Sequence, residues 1–141
     1  MARIRIAVIG TGFGTRVQIP GFQESGEFEV VAVGSHAERR ACEVAERFAI
    51  PHAFWDHRAL LALPGLDVVS VVTTPEFHEP LVLETLAAGK HVFCEKPLAR
   101  NLDEARRMAS AAEAAAAAGL VAMVDHEFRW QPERRHVKEL L

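Results

Sequence analysis

Short runs of β-branched and other apolar residues recur along the chain, at residues 4–9, 28–33, 68–72, 91–94 and 120–124, with stretches of helical length between them. Runs that are apolar at consecutive positions belong to strands buried on both faces, the condition of a parallel sheet covered by helices on either side. The alternation of strand and helix therefore predicts an α/β fold built as a doubly wound parallel sheet. A further short strand is expected around Phe54, followed by a short helix over residues 58–63.

The helical segments carry their own punctuation. Asn101-Leu102-Asp103-Glu104 reads as an N-cap with a carboxylate at N3, and Gly119 stands where a C′ glycine would end that helix. The alanine run 111–118 is expected to form the inner face of a sheet-covering helix, because alanine is the best helix former and permits close packing. Residues 75–88 read as a helix ended by Gly89, and 37–48 as one that stops before Pro51. Arg129-Trp130-Gln131-Pro132 should end the last strand and open a helix with Val137, Leu140 and Leu141 at helical spacing. That helix is expected to pack on this domain or on material outside this chain. The organisation expected is thus one α/β domain over residues 1–126 and the start of a connection to a second domain over 127–141.

Composition narrows the class. A chain of 141 residues is one ordinary domain, and 50% hydrophobic with 25% charged residues excludes disordered, collagenous and disulfide-scaffold chains. A net charge of −3 gives no general attraction to nucleic acid or an anionic membrane. Cys42 and Cys94 lie in apolar contexts without ligand spacing, so both are expected as buried thiols in a reducing compartment. The opening residues show no secretory pattern, and no apolar stretch approaches the roughly 20 residues that span a bilayer. A cytoplasmic location follows as the expectation.

The candidate chemistry begins at the first turn. Gly10-Thr11-Gly12-Phe13-Gly14-Thr15 follows a strand and precedes a helix. Gly10 permits the tight turn, and Gly12, lacking a Cβ, lets the backbone approach a pyrophosphate seated on a helix N-terminus. Thr15 replaces the third glycine of the G-x-G-x-x-G pattern, and Gly14 beside it can serve close packing. Strand two ends in Gly34-Ser35-His36 with no carboxylate at its tip, where NAD-selective folds place one about 20 residues beyond the turn. Arg39 and Arg40 stand ready to pair with a 2′-phosphate, so NADP is favoured over NAD. Two further motifs lie at the carboxyl ends of strands, the ligand-binding edge of open α/β sheets: Thr73-Thr74-Pro75 with His78, and Glu95-Lys96-Pro97. A lysine at that edge beside a carboxylate can exchange a proton with a substrate hydroxyl as hydride moves to or from nicotinamide.

These motifs, with Ala88-Gly89-Lys90-His91, resemble the glucose-fructose oxidoreductase/inositol dehydrogenase/MocA (Gfo/Idh/MocA) family of NAD(P)-dependent oxidoreductases along essentially the whole chain. The resemblance implies a Rossmann-like domain with Lys96 as the catalytic lysine and Glu95 orienting it and contacting the cofactor. It implies that Thr73, Thr74, Pro75 and His78 line the ribose and nicotinamide region, and that Arg129 and Trp130 reach the same cleft. Members of that family carry a second α/β domain that supplies the substrate pocket, further catalytic residues and usually the oligomer interface. A homo-oligomer is one expectation from it; a small polyhydroxylated substrate, completed by a second domain or a partner, is another.

Other constellations carry less. The histidines show no HxxH or HExxH spacing, so no metal site is expected. Gly89-Lys90 lacks the remainder of a phosphate loop, and the chain has neither tyrosine for short-chain dehydrogenase chemistry nor a G-x-S-x-G elbow. The leading expectation is the cofactor half of an oxidoreductase interconverting an alcohol and a ketone on a sugar- or cyclitol-like substrate. The alternative is a non-catalytic NADP(H)-binding module acting alone or with a partner chain. A methyltransferase sharing the glycine turn leaves Glu95-Lys96-Pro97 without a role.

Overall fold

The apolar runs become strands of one parallel sheet, in a computed structural model that describes residues 2–140. In chain order the elements are β1 (Ile4–Ile9), a π-turn (Gly14–Gln18) running into α1 (Ile19–Ser25), β2 (Phe28–Gly34), α2 (Glu38–Arg47), β3 (His52–Phe54), α3 (His57–Leu61) and β4 (Val68–Val71). A 3-10 turn (Pro75–Phe77) then leads into α4 (His78–Ala87), followed by β5 (His91–Glu95), α5 (Leu102–Ala116), β6 (Ala122–Asp125), a second 3-10 turn (Glu127–Trp130) and α6 (Pro132–Leu140). The six strands stand in the order β3-β2-β1-β4-β5-β6 and every pair is parallel.

The sheet is covered on both faces. One face packs Ala7, Ile9, Val69, Val71 and Val92 against Leu60 of α3, Leu81 and Leu86 of α4, and Met108 of α5. The other packs Ile6, Val8, Val30 and Val33 against Ile19 of α1 and Val44 and Ala45 of α2. Each such valine, leucine, isoleucine or methionine side chain, fully enclosed, contributes about 1.5–3 kcal/mol, so the anchored part of the fold is the block of central strands. The order reverses between β1 and β4, which opens a crevice at their carboxyl ends.

Several local expectations hold. Asn101 caps α5 by accepting the Glu104 backbone N–H at 3.0 Å; a cap not anticipated is Asp56, which accepts the Arg58 N–H at 2.9 Å at the start of α3. Gly89 and Gly119 end their helices at φ of 71° and 79°.

Other details differ, for stateable reasons. Strand β6 starts at Ala122 because the Leu120 N–H returns to the Ala115 carbonyl as part of the helix end and the Val121 N–H goes to the His91 ring. The alanine run does not form a buried face: only Ala111, Ala112 and Ala115 pack partly on the core, and Glu104 and Met108 are the enclosed residues of α5, which lies along α4 near the sheet's edge. Cys94 is buried as expected, but Cys42 is exposed, because α2 turns Ala41, Val44 and Ala45 inward and Cys42 falls off that face. No residue of α6 is buried; Val137 and Leu140 are exposed, and Leu141 lies outside the described residues. Among the described residues no helix is long and apolar enough to cross a membrane.

Candidate functional site

The turn after β1 is shaped by close approach to β4. Gly10 has φ 122°, and a Cβ there would collide with the Val72 carbonyl, so no other residue fits without moving backbone. The Gly10 N–H donates to the Gly34 carbonyl at 2.9 Å, fixing the turn to the end of β2. A Cβ at Gly14 would sit 3.1 Å from Val8 Cγ1, which is the close helix-to-strand packing expected of it. Thr15 is 6% exposed and its hydroxyl lies 3.0 Å from the Thr11 carbonyl and 2.9 Å from that of Gly12, so the residue in the third-glycine position ties the loop from within. A Cβ at Gly12 would meet nothing within 4 Å; that side of the turn is open.

Beyond Gly14 the chain does not enter a plain α-helix. The Ile19 N–H reaches back to the Gly14 carbonyl in the i→i+5 pattern of a π-turn, directly before Pro20, which has no N–H to continue an α-helical ladder. Thr15, Gln18 and Ile19 thereby face the sheet.

At the tip of β2, the Ser35 hydroxyl accepts the Ala37 N–H at the entrance to α2. The two arginines that follow part ways. Arg39 lies along its helix, 2.8 Å from Glu43, with a side chain 91% exposed. Arg40 reaches the glycine turn instead, its guanidinium donating to the Thr11 carbonyl at 3.5 Å.

The β4 and β5 turns are stitched together by His78, which is fully buried. Its ring nitrogens lie 3.0 Å from the Thr73 carbonyl and 3.0 Å from the Pro97 carbonyl, so no ring nitrogen is left for a ligand. Pro97 follows Lys96 through a cis peptide bond. Thr74 stands exposed at the head of the 3-10 turn that Pro75 opens, its carbonyl accepting the Phe77 N–H at 3.0 Å. The Thr73 hydroxyl is enclosed and has no partner among the described residues.

Lys96 occupies the mouth of the crevice. Its ammonium nitrogen stands 5.7 Å from the centre of the Phe13 ring, 4.0 Å from Glu95 Oε2 and 3.6 Å from Glu127 Oε1. Glu95, at the end of β5, is paired in register with Asp125 at the end of β6. One carboxylate oxygen from each of Glu95, Asp125 and Glu127 lies within 4.8 Å of the others. Two such charges repel by roughly 3 kcal/mol at an effective dielectric constant near 20, so the cluster needs compensation. Gln18 supplies part of it: its amide nitrogen donates to Glu95 Oε1 at 2.9 Å and to Asp125 Oδ2 at 3.3 Å, while its carbonyl oxygen accepts from the Ser70 hydroxyl. Burial pushes the Glu95 carboxyl above the ordinary glutamate range, and the neighbouring Asp125 carboxylate raises it further against the Gln18 and Lys96 N–H donors.

Gln18, Asp125 and Glu127 were not among the residues expected at this site. A polar side chain on the inward face of the first helix was the available signal for Gln18, and position at a strand's carboxyl end the signal for Asp125. Arg129 and Trp130 sit elsewhere: the guanidinium stacks 5.7 Å from its neighbour's ring, and both line shallow grooves with Met123, His126 and α6 side chains. Among the described residues, no hydrogen bond, ion pair or ring contact joins either to Lys96.

The residues present fit a dinucleotide. Gly12 leaves backbone open to a phosphate, Thr73 offers an enclosed hydroxyl without a partner at the β4 tip, and Arg40 brings positive charge to the β2 side of the same turn.

Comparison with known proteins agrees. Residues 4–126 match the model of an oxidoreductase family described as having an NAD-binding Rossmann fold. The chain is 33% identical over 138 residues to a scyllo-inositol 2-dehydrogenase (NADP(+)) of Bacillus subtilis, covering 98% of this chain and 41% of that enzyme. Among solved structures, it is similar to a 3-ketoreductase from Actinomadura kijaniata in complex with TDP-benzene and NADP, with TM-score 0.89, 31% identity and coverage of 99% of this chain and 43% of that one. An oxidoreductase from Agrobacterium radiobacter in complex with NAD+, L-tartaric acid and magnesium is similar at TM-score 0.84 and 30% identity, covering 92% of this chain and 37% of that one. The chain thus spans well under half the length of these relatives.

Proposed function

From the premise that the chain belongs to the Gfo/Idh/MocA oxidoreductase family, we propose that it is the cofactor-binding half of an NAD(P)-dependent oxidoreductase that interconverts an alcohol and a ketone on a sugar- or cyclitol-like substrate. Residues 1–126 form the dinucleotide-binding domain in this reading, and 127–141 open the connection toward the substrate-binding part. The observation that carries it is the meeting of the Gly10–Gly14 turn, the Thr73 hydroxyl and the Lys96 ammonium at the crevice between β1 and β4, with the Lys96 nitrogen over the Phe13 ring of the glycine turn.

The turn at Gly12, Phe13 and Thr15 holds the pyrophosphate, and Thr73, Thr74 and Pro75 flank the ribose beyond it. Arg40 holds the 2′-phosphate, which makes NADP(H) the favoured cofactor; its position at Thr11 supports this role over one for Arg39, which is engaged with Glu43. Ser35 shapes the β2 tip against which that ribose lies. When bound, the nicotinamide accepts or donates the hydride. Lys96 holds the proton that the substrate oxygen gains or loses, and Glu95 orients Lys96 through the backbone N–H it accepts at 3.1 Å. His78 acts beneath the surface, fixing the two turns that face the cofactor.

The sugar or cyclitol class is supported by the relative that acts on scyllo-inositol and by the 3-ketoreductase, and the dinucleotide by the neighbours bound to NADP and NAD. A cytoplasmic, homo-oligomeric enzyme completes the proposal; the net charge of −3 gives it no general attraction to nucleic acid or anionic membranes.

Titrating the chain with NADPH and NADH, followed by turnover on a panel of keto sugars and keto cyclitols, tests the reading. NADPH should bind more tightly, and Lys96→Ala should leave binding nearly intact while abolishing turnover. Binding without turnover even when the substrate-binding part is supplied would favour the non-catalytic module; turnover surviving in Lys96→Ala would remove that residue from its role.

A further inference from the structure

Beside Lys96 lies a polar cluster in which Glu95 is joined by Gln18 and Asp125, two residues that the dinucleotide reading gives no role. Glu95 and Asp125 end adjacent parallel strands in direct register, and Glu95 is 5% exposed. Like charges facing each other across a ladder destabilise it, yet this pair is held together by one amide that donates to both. That amide cannot turn round to suit a different arrangement, because its oxygen takes the Ser70 hydroxyl, itself fully buried on β4. Gln18 is in turn placed by the π-turn, whose inward face carries it from the glycine loop to the far side of β4.

The charged and titratable groups around the pair are few among the described residues: Lys96 and Glu127 on the open side, and the Cys94 thiol, buried and pushed up to about 12, on the strand itself. A single cation, shared with Glu127, therefore stands against a close carboxyl pair. One proton held between Glu95 and Asp125 removes the repulsion, leaves an acceptor oxygen for each Gln18 donation and keeps Glu95 Oε2 facing the Lys96 backbone N–H.

We propose that Glu95 and Asp125 form a carboxyl pair sharing one proton, that Gln18 is the positioning residue holding it, and that the pair returns a proton to Lys96 after the lysine has given its own away. The step is a plain transfer: an O–H bond of the pair breaks, an N–H bond to Lys96 Nζ forms, the pair becomes a dianion beside an ammonium, and no electrons change hands. Water at the half-exposed Glu127 side then reprotonates the pair. The proton-return half rests on the reading of Lys96 as the catalytic lysine; the shared proton does not. The burial that raises the Glu95 carboxyl acts in the same direction.

Infrared spectroscopy of the full chain at neutral pH reads the shared proton directly, as the carbonyl stretch of a protonated carboxyl, and mixing with D2O reads its exchange. The parent chain should show the band; Asp125→Asn should lose it, because Glu95 then ionises against Lys96 and the Gln18 amide. Gln18→Ala should broaden or abolish the band while circular dichroism stays native, and an unchanged band in that variant removes Gln18 from the positioning role. Lys96→Met should keep the band and slow its exchange at least severalfold. A parent chain without the band overturns the pair, and exchange unchanged in Lys96→Met overturns the proton return. Because the band needs no cofactor, its absence is distinguishable from a failure of dinucleotide binding.

Discussion

Around the switch between β1 and β4, Ile6, Val8, Ile9, Val69, Val71 and Val72 are at most 6% exposed; along the outer edge, Val121, Met123, Phe128, Trp130, Val137 and Leu140 are between 48% and 73% exposed. Both regions are rich in apolar residues, so hydrophobicity alone does not decide which becomes core. A central strand has a neighbour on each side and helices on both faces, whereas β6 has β5 on one side only and α6 encloses nothing. Stability and the dinucleotide turn therefore reside in the first region. The second lends the site its carboxylates, Asp125 and Glu127, and Lys96 stands on the seam between them.

The largest loss is expected at Gly10, in the rigid region. Gly10→Ala puts a methyl into the Val72 carbonyl at a φ that alanine avoids, and should cost about 3 kcal/mol or more in guanidinium unfolding, with loss of cofactor binding. An alanine variant as stable as the parent would mean that the turn relaxes freely and is not the rigid element described.

Paired truncations sharpen the contrast between the regions. Leu60→Ala, at a fully buried position, should cost about 2–5 kcal/mol, while Trp130→Ala and Leu140→Ala should each stay within about 0.5 kcal/mol. Edge variants that melt as early as Leu60→Ala would show that the outer segment carries stability its exposure does not reveal.

At the cofactor's adenosine end, Arg40→Ala should weaken NADPH binding roughly tenfold or more, with NADH nearly unaffected, as expected for a lost charge-assisted hydrogen bond of about 1.5–3 kcal/mol. Arg39→Ala should leave both affinities within about twofold, since a solvated ion pair is worth little. Equal losses for the two cofactors in Arg40→Ala would separate this residue from the 2′-phosphate.

The smallest effect is one of pH. The folded state holds the Glu95 proton more tightly than the unfolded chain does, so its contribution to stability is complete below the ordinary glutamate range and declines as pH rises through the raised value. Glu95→Gln should flatten the melting temperature across that interval; an unaltered slope would assign the pH dependence to other carboxylates.

Much of the central region was legible in the residue order. Consecutive apolar positions marked β1, β2, β4 and β5, Gly10 marked a turn that tolerates no side chain, and Asn101 with Glu104 marked a helix start, because each of these signals is local. The edge was less legible for the same reason. The start of β6 depended on a hydrogen bond to the His91 ring, and the inward alanine face depended on where α5 settled relative to α4. At the site, Lys96 and Glu95 announced themselves as a motif, but Gln18, Asp125 and Glu127 become neighbours only through strand register and a π-turn. His78 looked like a ligand-facing residue until its burial between two carbonyls was known.

The central claim, that the turn after β1 receives a dinucleotide's phosphates, is tested most directly at Gly12, where a side chain would meet no protein atom within 4 Å. Calorimetric titration of the parent chain and of Gly12→Asp with NADPH should give binding to the first and none to the second, with the two proteins unfolding at the same temperature. Undiminished NADPH binding by a folded Gly12→Asp chain would contradict the account.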